Sequence, residues 1–114
     1  MQFKHKNEFE TDIIDLGEVV DLYAVPEIKK FCRTLIHNGS KKLILTMNHV
    51  VIIDSSGIGM IYNIYYECQQ EDVEFRVTEL SEEVKRIFTI SKVGDSFPIS
   101  SSLKEAIESF NKKK

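Results

Sequence analysis

The 114-residue chain has little sulfur, no basic excess and no long apolar run, and each shortage excludes a class of protein. Its two cysteines, Cys32 and Cys68, are too few and too badly spaced for a zinc site, and both fall on apolar faces of predicted helices, which makes them buried free thiols. The three histidines, His5, His37 and His49, stand at no ligand spacing from one another or from a cysteine, so they read as surface or loop residues, and no metal or cofactor is expected. A net charge of −3 leaves no basic footprint for nucleic acid or anionic lipid. No apolar stretch approaches the ~20 residues that span a bilayer, and "MQFKHKNEFE" lacks the apolar stretch of a secretion signal, so a cytoplasmic location is expected.

What is present is an ordinary globular balance, 42% apolar and 29% charged residues, in a chain long enough to hide most of its apolar surface without disulfides. No repeat, linker or low-complexity tract divides it, so residues 1–114 are expected to form one domain. "FKHKNEFETDIIDL" is rich in strand formers, with breaks near Asn7 and near Thr11 and Asp12, and predicts two short strands that could form a hairpin. From Val25 the period becomes helical: Val25, Ile28, Cys32, Leu35 and Ile36 share a face, Pro26 suits the first turn and "HNGS" supplies the stop. "KLILTM" at 42–47 is a compact apolar strand, while the following "VVII" is either a strand extension or a buried approach to a turn.

After that turn, Ile58, Ile61, Tyr62, Tyr65 and Cys68 are expected to form the buried stripe of a helix. "VEFRVTEL" alternates as a strand with Val73, Phe75 and Val77 on one side, and "LSEEVKRIF" predicts a helix capped by Ser81 that buries Val84, Ile87 and Phe88. "SFPI" reads as a last strand before a helix with Leu103, Ala106, Ile107 and Phe110 inward, and the terminal "NKKK" as a solvated tail. The order β-β-α-β-α-β-α-β-α predicts an α/β fold in which right-handed crossovers build a sheet with helices packed on it.

The chemically suggestive stretch is "VIIDSSGIG" at 51–59, a strand-to-helix joint of the kind where ligands and partners meet α/β proteins. Asp54, Ser55 and Ser56 are all good N-cap types, so a purely structural cap is one reading. A nucleophile elbow is a poor one, because G-x-S-x-G finds Ile53 two places before Ser55 and Asp54 two places before Ser56, and no histidine is evidently placed as base. A Walker-type cradle fails for want of a Lys-Ser or Lys-Thr pair after the glycines. The third reading is a hydroxyl that another protein modifies, with Gly57 and Gly59 giving access and Met60 exposed beside them as part of a docking surface.

"IDSSGIGMI", with "LILTM" before it and "VEFRVTELSEEVKRIF" after it, resembles the bacterial anti-sigma factor antagonists, small members of the STAS domain family, over about residues 13–110. The resemblance implies a mixed sheet of four to five strands with helices mainly on one side. It also implies a protein that is no enzyme: unphosphorylated, it captures an anti-sigma factor and frees a sigma factor. The anti-sigma factor is in turn a serine kinase for Ser55, with Ser56 as the neighbouring alternate, and a phosphatase resets the system. Asp21 aligns with an acid of the family's loop after the second strand, so the implied partner-binding set is Asp21, Asp54, Ser55, Ser56, Gly57, Gly59 and Met60. The glycine pair that commonly precedes the fourth strand in the family is Asp72 and Val73 here. The alternative implied function is a STAS scaffold that is never phosphorylated, in a stress-sensing or transporter-associated complex.

Overall fold

The computed structural model describes residues 3–90 and 99–111, with no side-chain description at 89, 90 and 111. Strands β1 (Phe3–Glu8) and β2 (Thr11–Leu16) form an antiparallel hairpin, followed by the two-residue strand β3 (Val19–Val20) and helix α1 (Val25–His37). Then come β4 (Lys42–Thr46), the short β5 (Ile52–Ile53), α2 (Ser55–Gln70), β6 (Glu74–Thr78), α3 (Glu82–Ile90), β7 (Ile99–Ser100) and α4 (Leu103–Asn111). The main sheet has the order β1-β2-β4-β6-β7, antiparallel only at β1–β2, and β3 pairs with β5 in a separate parallel ribbon.

The expected mixed sheet is therefore present, with two strands beyond the predicted order. β3 and β5 are two residues each, too short for any periodicity to reveal, and β5 resolves the ambiguity of "VVII". The break expected at Asn7 is absent: β1 runs through it, and the reversal falls at Phe9 and Glu10. The first three residues of "SFPI" and the last three of "NKKK" lie outside the described residues.

Alternation along the central strands sorts the core into two layers, because successive strand side chains point to opposite faces. Leu43 and Leu45 face α1, α2 and α3 together with Ile14, Leu16, Phe75 and Val77, while Ile44 and Ile13 face α4. The larger layer is filled by Ile28, Cys32 and Ile36 of α1, Ile58, Ile61, Ile64 and Cys68 of α2, and Val84 and Phe88 of α3. The smaller layer closes over Ala106 and Phe110, with the Arg76 guanidinium 4.7 Å from the Phe110 ring centre. Three helices on one side and one on the other is the "mainly one side" arrangement. Burial pushes the thiols of Cys32 and Cys68 up to about 12, and both are free cysteines, as their apolar positions suggest.

Local chemistry ends the elements where the sequence signals it. α1 stops at a Schellman arrangement, with Gly39 at φ 103, its N–H donating to Ile36 O and the Ser40 N–H to Leu35 O. Ser81 caps α3 by accepting from the Val84 N–H at 3.1 Å.

Close to the turn of the β1–β2 hairpin, where it stands opposite Asn7, Asp12 collects three side-chain donors: His5 Nε2 at 2.8 Å, Asn7 Nδ2 at 3.1 Å and Ser40 Oγ at 2.7 Å. Burial alone would raise its carboxyl pKa, but those hydrogen bonds and the His5 charge outweigh it and hold the group below its usual value. A depressed carboxylate pKa stabilises the fold above the unfolded-state value and loses that contribution as pH falls through the folded-state value. Asp12→Asn should therefore flatten the fall in urea midpoint with acidification below the ordinary carboxylate range, relative to the parent chain. The hairpin tip offers a second test. Phe9 and Glu10, at φ 54 and 61, occupy the positive-φ pair that a two-residue turn reserves for Asn-Gly, and Phe9 is 78% exposed. Replacing the pair with Asn-Gly should raise unfolding free energy by about 1–2 kcal/mol, read as an increased urea midpoint at unchanged slope.

Candidate functional site

The ribbon of β3 and β5 builds the site. Its register sets Val20 opposite Ile53, so the next residues, Asp21 and Asp54, begin two neighbouring loops, one entering α1 and one entering α2. Asp21 organises the first loop: its Oδ1 accepts from the N–H groups of Tyr23 and Ala24, both at 3.1 Å, and its backbone oxygen accepts from Ala24 and Val25. Asp54 organises the second and ties it to the first. Its Oδ1 accepts from the Gly57 N–H at 3.0 Å, as an N-cap should, and its Oδ2 accepts from the Leu22 N–H at 3.3 Å across the gap between the loops.

The capping question raised by "DSS" thus has one answer: Asp54 is the cap, in extended conformation, and Ser55 and Ser56 are the first two helical residues. Ser55 is exposed, Ser56 is half-buried, and neither side chain hydrogen-bonds among the described residues. The histidines are engaged elsewhere, His5 with Asp12, His37 with Glu67 at 3.5 Å and His49 with Asp15 at 3.6 Å, so none stands as a base to either serine. Among the described residues no group of three or more His, Cys, Asp or Glu side chains could hold a metal ion.

Two expected site residues are placed otherwise. Met60 is 2% exposed and belongs to the core. The cause is the setting of the helix: α2 packs on α1 as well as on the sheet, so its buried arc, from Met60 through Ile64, Cys68 and Ile61 to Ile58, is wide and turned away from the expected stripe. Tyr62, expected inside, lies outside with 45% exposure. Gly57 also faces inward. A Cβ there would stand 2.5 Å from the Val20 oxygen and 2.8 Å from Ile53 Cγ1, so this glycine lets α2 begin hard against the ribbon instead of opening a path to solvent. Gly59 has nothing within 4 Å of its Cβ position and does leave the outer face open.

At about 100° per residue, Ser55, Gly59, Tyr62 and Tyr66 share the outward stripe of α2. Around it lie Leu22 and Tyr23 on the α1 loop and Val51 and Ile52 before the turn, all exposed, Tyr23 at 87%. This apolar rim was not foreseen from sequence, although the Leu22-Tyr23 pair just after Asp21 was the available signal. Neither 17–28 nor 50–66 contains a lysine or arginine. The arrangement is an exposed apolar patch with a free hydroxyl on its helical stripe and two carboxylates on the adjoining loops.

The STAS domain model matches residues 4–106, and the chain belongs to the STAS domain family. Among its curated relatives, the anti-sigma-B factor antagonist of Staphylococcus aureus (strain NCTC 8325 / PS 47) is 24% identical over 82 residues, 72% of this chain and 76% of its own. Among solved structures, the anti-sigma factor antagonist SpoIIAA in its unphosphorylated form gives a TM-score of 0.83 at 23% identity over 98% of both chains. The Bacillus cell fate determinant SpoIIAA in its phosphorylated form gives 0.76 at 23%, covering 95% of this chain and 98% of its own. At these identities the structures establish the shared fold. Among the described residues no helix is long and apolar enough to cross a membrane.

The two glycines should separate in stability measurements. Gly57→Ala should cost about 1–3 kcal/mol or more, because backbone and ribbon must move to admit a methyl group. Gly59→Ala, open and helical, should stabilise by about 0.5–1 kcal/mol. Chemical denaturation of the two variants checks both.

Proposed function

We propose that this chain is an anti-sigma factor antagonist that works by partner switching in the cytoplasm, with Ser55 as its switch. Unphosphorylated, it docks on an anti-sigma factor through the face formed by the Asp21 loop, the Ser55 turn and the outer stripe of α2, and a sigma factor is released. The anti-sigma factor, acting as a serine kinase, transfers the γ-phosphoryl group of ATP to Ser55 Oγ with ADP leaving, and a phosphatase restores the hydroxyl. Asp54 positions the turn, Asp21 the facing loop, Gly59 keeps the stripe low, and Ser56 is the secondary acceptor.

The observation that carries this reading is the exposed Ser55 hydroxyl, relieved of capping duty by Asp54 and set amid Leu22, Tyr23, Ile52 and Tyr62. A neutral hydroxyl in such a face is inexpensive to bury against a partner. A phosphoserine there brings about −1.5 to −2 charges. The helix amino terminus offsets part of this, worth about 0.3–1 kcal/mol, while Asp54 opposes it and neither flanking segment offers a cation. Desolvating that dianion at an apolar interface costs several kcal/mol, and each ~1.4 kcal/mol is tenfold in affinity, so loss of binding by about two orders of magnitude follows. The two solved forms of SpoIIAA, unphosphorylated and phosphorylated, are consistent with a family fold that tolerates the modification.

Ser55→Asp should abolish capture of the cognate anti-sigma factor, whereas Ser55→Ala should bind it normally and take up no label from ATP. Undiminished binding by the Asp variant would sink the mechanism. The two variants should unfold within about 1 kcal/mol of each other, since the turn is at the surface.

A further inference from the structure

On the side of the sheet away from α1–α3, α4 lies across β4, β6 and β7. Beside it the β1–β2 half of the same face opens into a cavity of about 450 Å³, within the size range of small-ligand sites. Its polar wall is made where parallel strands end: Asp15 near the end of β2, Thr46 at the end of β4, Asn48 beyond it, and Glu79 directly after β6. The carboxyl edge of parallel strands is where α/β folds hold ligands.

One buried carboxylate oxygen and one exposed lysine in this cavity have no partner among the described residues. Asp15 Oδ1 is buried and accepts no hydrogen bond, while its Oδ2 lies 3.6 Å from His49 Nε2. A buried acceptor left without a donor is costly, so the atom is suited to a donor that arrives from outside. Lys4 stands opposite Asp15 in the β1–β2 register, yet has no ion-pair partner among the described residues, whereas neighbouring Lys6 reaches Glu8 at 3.3 Å. Glu79 is occupied, accepting from the Leu103 N–H at 3.0 Å. The apolar part of the lining is formed by Ile13 and Leu103.

We propose that this cavity binds a small zwitterion of the amino-acid class, its ammonium group donating to Asp15 Oδ1, its carboxylate facing Lys4 and its side chain resting on Ile13 and Leu103. A simple anion would meet Lys4 but face the carboxylates of Asp15 and Glu79, and a simple cation would meet Asp15 but face Lys4 and Lys6. Only a ligand with one charge of each sign answers both unmatched groups. The proposal is independent of the Ser55 reading, because the cavity opens on the other face of the sheet.

The test uses heteronuclear NMR on the isotope-labelled full chain, titrated with L-leucine, with isocaproate, which lacks the ammonium, and with isoamylamine, which lacks the carboxylate. Leucine should produce saturable shifts at Asp15, Asn48 and Glu79, and each single-charge analogue should bind about tenfold more weakly or worse. Asp15→Asn should bring leucine down to the level of isocaproate, and Lys4→Met to that of isoamylamine. The three-ligand comparison on the unmodified chain decides the matter even where a variant fails to fold. Absence of saturable leucine shifts up to its solubility, or equal binding by either analogue, would overturn the proposal.

Discussion

The carboxylate of Asp54 is the constraint on which the functional end of the molecule depends. One oxygen terminates α2 by accepting from Gly57, and the other reaches the Leu22 N–H of a loop more than thirty residues earlier. Its own N–H donates to the Val20 oxygen at 3.3 Å, the same oxygen that a side chain at position 57 would strike. Val20, Asp54 and Gly57 therefore form one small joint, in which strand pairing, cap and helix packing all pass through a few atoms. Such a joint holds two loops in fixed relation without burying them, which a surface for recognition requires and a core residue cannot supply.

Division of labour between adjacent residues follows from this. In a D-S-S sequence any of the three oxygens could cap the helix, and whichever does so is withdrawn from other chemistry. Because Asp54 takes the role, with a charged oxygen that makes the stronger bond, the hydroxyl of Ser55 is left at the first helical position with its oxygen in solvent. The same choice places a negative charge beside the hydroxyl. The local field is thus poised: the helix end favours an added anion and the neighbouring carboxylates oppose it, so the free chain should be nearly indifferent to a phosphate that an apolar interface would strongly reject.

Much of the fold was legible because long elements announce their period. The stripes of α1, α3 and α4, the alternation of β6 and the stop at "HNGS" all follow from side-chain spacing and cap chemistry, and each stands in the structure as read. The misreadings cluster where one element meets two neighbours at once. Met60 and Tyr62 exchanged places because the buried arc of α2 is set jointly by the sheet and by α1, and spacing within α2 cannot report the direction of a second contact. Gly57 misleads because, in sequence, a glycine beside serines looks the same whether it faces solvent or a carbonyl. The pairing of β3 with β5, which makes Asp21 and Asp54 neighbours, joins two dipeptides about thirty residues apart and leaves no periodic trace.

Backbone strain elsewhere has local reasons. Asp72 adopts φ 60 in the turn before β6, a conformation that Asp tolerates better than most residues. Glu79, at φ 63, is a bulkier intruder in that region and needs a compensation. It has one: its Oε2 accepts the Leu103 N–H, satisfying an amide of the first turn of α4 that would otherwise lack a partner. Nearby, Ser102 Oγ accepts from the Glu105 N–H, and Glu105 Oε1 accepts from the N–H and hydroxyl of Ser101. The unusual backbone at Glu79 is accordingly what anchors the lone helix of the second layer to the end of β6.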